Sequence, residues 1–233
     1  MTGTGANILL TRPVEASARF LGELRDAGVT LGAVISPVLR IVPRRVEVAT
    51  QGYRGLIFTS VHGVAAMDGH PGVAGMRAFA VGARTAAVAR GLGMVCRDGP
   101  GSAAELSARL LADPLPGPLL HVRGAHTRGD IAASLTAAGI QTDELVVYDQ
   151  QVETLSDEAR ALLASPGALF LPVFSPRSAA ALAAQVADAV AALRVVAISP
   201  AAGQAWSGPG ELRIADAATS RDMCATISAW DGG

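Results

Sequence analysis

Thr11-Arg12, Thr59-Ser60, Arg84-Thr85, Arg123 and Ser175 with Arg177 and Ser178 fall where a short apolar run gives way to a helix-compatible one. Hydroxyls, guanidinium groups and open helix N-termini share an affinity for carboxylate and phosphate. Each Ser or Thr taken alone reads first as a helix N-cap. Together they read as an anion-binding edge, because an Arg follows a strand end in both halves of the chain. The set holds no strong nucleophile with its base: no Gly-x-Ser-x-Gly elbow occurs, and neither Ser60 nor Ser175 has a His in a triad context. His62, two residues after Ser60 on a helix start, is expected to point away as a rim residue. His121 and His126 are 5 positions apart, which fits neither a helical face nor a common zinc spacing, so no metal site is expected. Tyr148 ends an extended segment. It reads either as a half-buried sheet residue or as a phenol that gives a proton to a leaving hydroxyl, with Asp149 or Gln150 nearby.

Composition narrows the classes. The chain has 233 residues, enough for one large or two small domains, and half of them are apolar while only 4% are aromatic. That favours helices packed closely on a sheet over aromatic platforms for bases. All 19 basic residues are Arg. Without Lys there is no lysine Schiff base and no Walker A loop. A net charge of −1 with no basic block argues against nucleic acid and against an electrostatic membrane anchor. No apolar run is long enough to span a bilayer. Met1 to Ala6 lacks the charged and apolar regions of a signal peptide. Cys96 and Cys224 make no disulfide framework, and a reduced, cytoplasmic protein is expected.

The elements that position these groups alternate between strand and helix. Asn7 to Thr11 reads as a strand, Pro13 opens a helix with Phe20, Leu21 and Leu24 on its apolar stripe, and Gly28 ends it. Val29 to Ile35 and Val38 to Val42 read as extended. Leu56-Ile57-Phe58 suits a strand buried on both faces. Arg77 to Val81 is a strand leading to the helix Ala86 to Arg90. Gly91-Leu92-Gly93 follows that helix, not a strand, and so is no dinucleotide fingerprint. Asp113 to Pro118 is the strongest breaker and by composition a linker. Beyond it come a strand over Leu119 to Val122, a helix ending at Gly139, an extended Leu145 to Gln150, a helix over Leu155 to Ala164, and strands at Leu169 to Phe174 and Val195 to Ile198.

Arg12 to Gly28 and Arg123 to Gly139 both span 16 positions, and Ser60 and Val81-Gly82 recur as Ser175 and Ile198-Ser199. Three landmarks thus return in order at offsets of 111, 115 and 117, which indicates a duplication of about half the chain. Parallel sheets in an α/β fold follow, with ligand groups at the C-terminal strand ends.

Leu10-Thr11-Arg12-Pro13, Ile57-Phe58-Thr59-Ser60-Val61-His62-Gly63-Val64, Val81-Gly82-Ala83-Arg84-Thr85-Ala86, Arg123-Gly124, Val147-Tyr148 and Phe174-Ser175-Pro176 together resemble uroporphyrinogen-III synthase. The resemblance implies two flavodoxin-like α/β domains with parallel sheets, a cleft between them and a two-strand β-ladder joining them. The first domain would take residues 1–37 and 151–233, the linker strands 38–43 and 145–150, and the second domain 44–144. Asp113 to Pro118 then becomes a loop of the second domain.

The implied reaction closes hydroxymethylbilane with loss of water and inversion of its last ring, in haem, cobalamin or chlorophyll-type synthesis. It needs no cofactor and no metal. The resemblance adds Val61, Gly124 and Ser199 to the binding positions and makes Tyr148 the acid candidate. Ser199 stands in where the family carries a Thr at the place of Ala202, and His62 replaces an Asn. A cytoplasmic monomer is implied, with transient hand-over from hydroxymethylbilane synthase, and no nucleic acid or membrane partner. The rivals are a non-catalytic tetrapyrrole- or anion-binding module of the same fold, and a nucleotide-binding α/β enzyme, which the missing Lys and P-loop oppose.

Overall fold

The computed structural model describes residues 6–97, 99–113, 117–126 and 129–231. Residues 1–5 of the N-terminal stretch and 114–116 of the breaker therefore lie outside the described residues. Two compact units divide the chain, Met1–Arg40 with Gln151–Gly233 and, between them in sequence, Ile41–Gln150.

The first unit opens with β1 (Asn7–Leu10), α1 (Val14–Asp26) and β2 (Gly32–Ile35), and β3 (Leu39–Pro43) follows. Next come β4 (Gly55–Phe58), α2 (Val61–Ala65), β5 (Arg77–Ala80), α3 (Ala83–Gly91), β6 (Val95–Arg97) and α4 (Ala103–Ala112). Strand β7 (Leu119–Gly124), helix α5 (Ile131–Ala137) and strand β8 (Thr142–Val152) follow. The chain then runs through α6 (Asp157–Leu163), β9 (Ala168–Val173), α7 (Pro176–Ala183) and β10 (Ala192–Ala197). It closes with α8 (Pro200–Gln204), β11 (Glu211–Ile214) and α9 (Ser220–Asp231). Strands β6 and β11 and helices α4 and α9 go beyond the elements read from sequence. The two strands are short edge strands of three and four residues, too brief for a visible alternation.

The first sheet has the order β11-β10-β9-β1-β2 and the second β3-β8-β7-β4-β5-β6. The pairs β1/β2, β1/β9, β9/β10 and β10/β11 are parallel, as are β4/β5, β4/β7, β5/β6 and β7/β8. Strand order therefore repeats: β2-β1-β9-β10-β11 matches β8-β7-β4-β5-β6 element by element. The parallel α/β architecture expected from the alternation is present. At the outer side of β8, the Arg44 N–H donates to the Val147 carbonyl at 2.8 Å and the Glu153 N–H to the Val38 carbonyl at 3.0 Å. Numbering falls along one strand as it rises along the other, so β3 runs antiparallel to β8.

Both sheets are covered on both faces, which is why their strands are near-continuous apolar runs. Leu9, Leu169, Leu171 and Val173 pack against Leu163, Ala179 and Leu182 on one face of the first sheet. Ile8, Leu10 and Phe170 pack against Phe20, Leu24, Met223 and Ile227 on the other. In the second unit Leu56 and Phe58 meet Val64, Met67, Ala86 and Ala89, while Ile57 meets Leu106, Leu110, Ile131 and Leu135.

The helix ends that mark the duplication are built alike. Gly28 (φ 82°) and Gly139 (φ 89°) occupy the left-handed position after α1 and α5. The N–H of each reaches back three residues, and the next residue's N–H reaches back five: Val29 to Leu24 and Ile140 to Leu135, both at 2.9 Å. These are Schellman closures with their hydrophobic contact. Val29 is spent on this closure, so β2 begins at Gly32 and not at Val29 as the apolar run suggests. Helix α6 is likewise shorter than its pattern, because Ser156 caps it by accepting the Ala159 N–H at 3.2 Å.

Candidate active site

Helices leave β1 and β9 toward opposite faces of the first sheet, and leave β7 and β4 toward opposite faces of the second. Beyond the C-terminal ends of such neighbours an open α/β sheet has room for a ligand. Thr11, Arg12 and Ser175 border that point in the first unit, and Gly124, Thr59 and Ser60 border it in the second.

The hydroxyls there are helix caps. Ser60 is extended (φ −152°) and its Oγ accepts the His62 N–H at 3.2 Å. Ser175 accepts the Ser178 N–H at 3.1 Å, and the two hydroxyl oxygens are 2.9 Å apart. Ser199 accepts the Ala202 N–H at 3.3 Å. Gly82, the matching cap of α3, has no side chain, and Thr85 is buried at its third helical position. Capping uses a lone pair and leaves a hydroxyl its own proton to donate, so cap and anion donor are compatible roles. Ala202 is fully buried in the core of the first unit, where a hydroxyl would add nothing to a ligand edge.

Tyr148 owes its place to a β-bulge. Strands β7 and β8 run in register from Leu119↔Thr142 to Arg123↔Val146, and then Gly124 pairs with Tyr148, leaving one extra residue on β8. A bulge re-aims the side chain that follows it. Val147 and Tyr148, consecutive in sequence, consequently both enter the same core, and Tyr148 is only 6% exposed. Its ring lies directly on Gly124: a Cβ there would come within 2.5 Å of the Tyr148 ring carbons and 2.9 Å of its hydroxyl. The His62 ring stands edge-on to it, centroids 5.7 Å apart. His62 is thus not a rim residue pointing away; the cap at Ser60 starts α2 so that its second residue faces the tyrosine. Burial, and secondarily the Arg84 charge, hold the His62 imidazole below the usual histidine range. Thr59 and Val61 are half-buried beside this turn, and Arg84 is exposed on the next one.

Arg123 is committed elsewhere. Its Nε and Nη2 lie 2.7 and 2.8 Å from the two carboxylate oxygens of Glu144, and Nη1 donates to the Gly124 carbonyl at 2.9 Å. The same carboxylate lies 3.5 Å from Nδ1 of His121, which is 2% exposed. Burial lowers the His121 pKa, against the pull of Glu144. His126 points elsewhere, its Nε2 lying 3.3 Å from Asp149. The Gln150 N–H and then Arg44 hold the Asp149 carboxyl below its ordinary value. Nothing in the sequence signalled Glu144, since the pairing needs the register of β7 on β8. Among the described residues no cluster of His, Cys, Asp or Glu could hold a metal, and no helix is long and apolar enough to cross a membrane.

In the first unit Thr11 is buried, and the Arg12 guanidinium stacks 4.1 Å over the Phe174 ring, bridging the ends of β1 and β9. Arg177, Ser178 and Ser199 sit half-buried at the first turns of α7 and α8.

A sequence profile of the family described as Uroporphyrinogen-III synthase HemD matches residues 18–224. The chain belongs to this family. Uroporphyrinogen-III synthases are cyclising lyases of tetrapyrrole biosynthesis. The fold is similar to that of uroporphyrinogen-III synthetase from Helicobacter pylori 26695, at 14% identity over 97% of this chain and 99% of that one, with a TM-score of 0.69. It is also similar to a mutant uroporphyrinogen III synthase from the extremely thermophilic bacterium Thermus thermophilus, at 14% identity over 96% and 98%, with a TM-score of 0.53. No curated protein sequence matches it. At such identities the structural likeness speaks for the fold, and the family profile for the membership.

Proposed function

We propose that this chain closes hydroxymethylbilane to uroporphyrinogen III, with Tyr148 as the acid that helps the terminal hydroxyl leave. Family membership supports the reaction. The observation that carries the tyrosine's part is its setting: a phenol turned by a bulge, seated on Gly124 and faced by His62, beside the capped turn at Ser60. A pyrrole nitrogen of the substrate pushes out the hydroxyl, the Tyr148 proton leaves with it as water, and a protonated azafulvene remains beside the phenolate. Attack by the substituted carbon of the last ring gives a spiro intermediate, which breaks and recloses with that ring inverted. The proton released on rearomatisation returns to the phenolate, so the enzyme ends as it began.

Binding does the rest of the work. Acetate and propionate groups must be held so that the inverting closure wins over the direct one, which is catalysis by orientation. Donors suited to this are the hydroxyls of Thr11, Thr59, Ser60, Thr85, Ser175, Ser178 and Ser199, the Arg12, Arg84 and Arg177 guanidiniums, and the open N–H groups at Val61. Arg123 acts here by holding the end of β7 through Glu144. By the same reading the enzyme works as a cytoplasmic monomer supplied by transient hand-over from hydroxymethylbilane synthase.

The test uses freshly generated hydroxymethylbilane, with oxidised products separated as type I and type III uroporphyrin. Type III in excess over the protein-free control is expected, and only type I at the spontaneous rate would refute the reading. Tyr148→Phe should retain its melting temperature and lose about 100-fold in turnover, the low end of the range for general acid catalysis.

A further inference from the structure

The two units can be aligned through their strand registers. Arg194 on β10 lies opposite Glu211 on β11, and Arg213 stands two residues further along that strand. Arg77 on β5 lies opposite Val95 on β6, and Arg97 stands two residues further along. Helix α9 buries Met223, Ile227 and Trp230, and α4 buries Leu106 and Leu110 at the spacing of the first two. One offset of 117 relates Arg77 to Arg194, Leu106 to Met223, Leu110 to Ile227, and Asp113 to Trp230. Where the first unit has an indole, the second has an aspartate.

In the first unit the site is full. Trp230 stands edge-on to Phe170 with centroids 6.0 Å apart. The Arg213 guanidinium lies 4.0 Å over the indole, and that of Arg194 lies 5.9 Å from it and 5.4 Å from Phe170. Arg194 also donates to the Trp230 carbonyl at 3.1 Å. In the second unit Gly55 takes the register position of Phe170, one step before the pair Leu56↔Ala78. The Phe79 ring crosses the space freed, 2.7 Å from where a Gly55 Cβ would stand. The aromatic floor and both arginines are thereby kept, and the ring they clasp is missing. A cavity of about 360 Å³ remains, lined by Phe79, Leu106, Leu110, Arg77, Arg97 and Asp113. Val95, on its edge, is 62% exposed.

We propose that this cavity binds a planar aromatic anion, its ring seated between Arg77 and Arg97 as the Trp230 indole is seated by Arg194 and Arg213. Guanidinium groups over a ring face supply the attraction for its π-system. Among the described lining residues Arg77 and Arg97 face one aspartate, Asp113, which leaves the rim positive, so the ligand carries a carboxylate or a phosphate. The volume is that of a small-ligand site, which begins at roughly 300 Å³. None of its lining residues belongs to the strand-end set, so the site is independent of the cyclisation.

Indole-3-acetate titrated into the full chain by calorimetry tests this, with indole and acetate as the two halves of the probe. One site per chain is expected, with either half binding at least about tenfold more weakly. Arg97→Ala weakens indole-3-acetate about tenfold, the size of a partly desolvated cation–π contact. Asp113→Trp supplies the ring from the C-cap of α4, as Trp230 does from the last turn of α9; binding disappears and the melting temperature rises by a few degrees. Uroporphyrinogen III formation is unchanged in both variants. Absence of saturable binding overturns the proposal, as does binding that Arg97→Ala leaves undiminished, a result readable even where Asp113→Trp fails to fold.

Discussion

Replacing Gly124 with Ala adds one methyl group under the Tyr148 ring. Gly124 is not at positive φ, so its backbone accepts Ala without strain. The added Cβ would stand 2.5 Å from two ring carbons. Carbon atoms rest at about 3.5–4.0 Å. The ring must therefore move by about 1 Å, or β7 must separate from β8 at the bulge. Overpacking of this kind costs about 1–3 kcal/mol, partly offset by about 0.4–1 kcal/mol from the stiffer unfolded chain. A catalytic group displaced by about 1 Å loses up to roughly 100-fold. The expected result is a fall in type III formation of about tenfold to a hundredfold, with a urea midpoint only modestly lowered. The double variant Gly124→Ala/Tyr148→Phe decides the cause. If the added methyl acts only through the phenol, the double variant is no slower than Tyr148→Phe, because coupled sites are not additive. Full turnover in Gly124→Ala, or two penalties that simply multiply, would refute the reasoning.

Three further outcomes follow from the geometry. His121 is buried with its folded pKa lowered, so below about pH 6.5 the unfolded chain binds more protons and stability falls as pH falls. His121→Gln should reduce that loss between about pH 7.5 and 5 in urea melts, and an unaltered slope would remove His121 as its source. Ser175→Ala deletes the cap of α7 and should cost about 0.5–2 kcal/mol in the same melts; no change would show that Ser178 or solvent replaces it. Arg84→Ala should raise the KM for hydroxymethylbilane about tenfold with the far-ultraviolet circular dichroism unchanged, and an unaltered KM would remove Arg84 from the binding set.

Local chemistry was legible where it is local in the chain. Pro13, Gly28 and Gly139 announce helix boundaries because their backbone angles and missing N–H or Cβ act within one turn. Ser60, Ser175 and Ser199 announce caps for the same reason, and apolar runs such as Leu56-Ile57-Phe58 and Leu169-Phe170-Leu171 announce strands covered on both faces. The duplication was legible too, since it is a comparison of the chain with itself, and with it the parallel α/β class.

Tertiary structure alone decided what touches what across the register. Tyr148 lies 86 positions from His62 and 24 from Gly124, and only a one-residue bulge brings the three together. Simple alternation would have put Val147 and Tyr148 on opposite faces. Arg123 reads as an anion donor by type, but β8 sets Glu144 against it and uses its charge. The short strands β6 and β11 form because a neighbouring strand offers them hydrogen bonds, not because their own residues demand it. Through them the duplicated arginines become a filled aromatic clasp at Trp230 in one unit and an open cavity at Asp113 in the other.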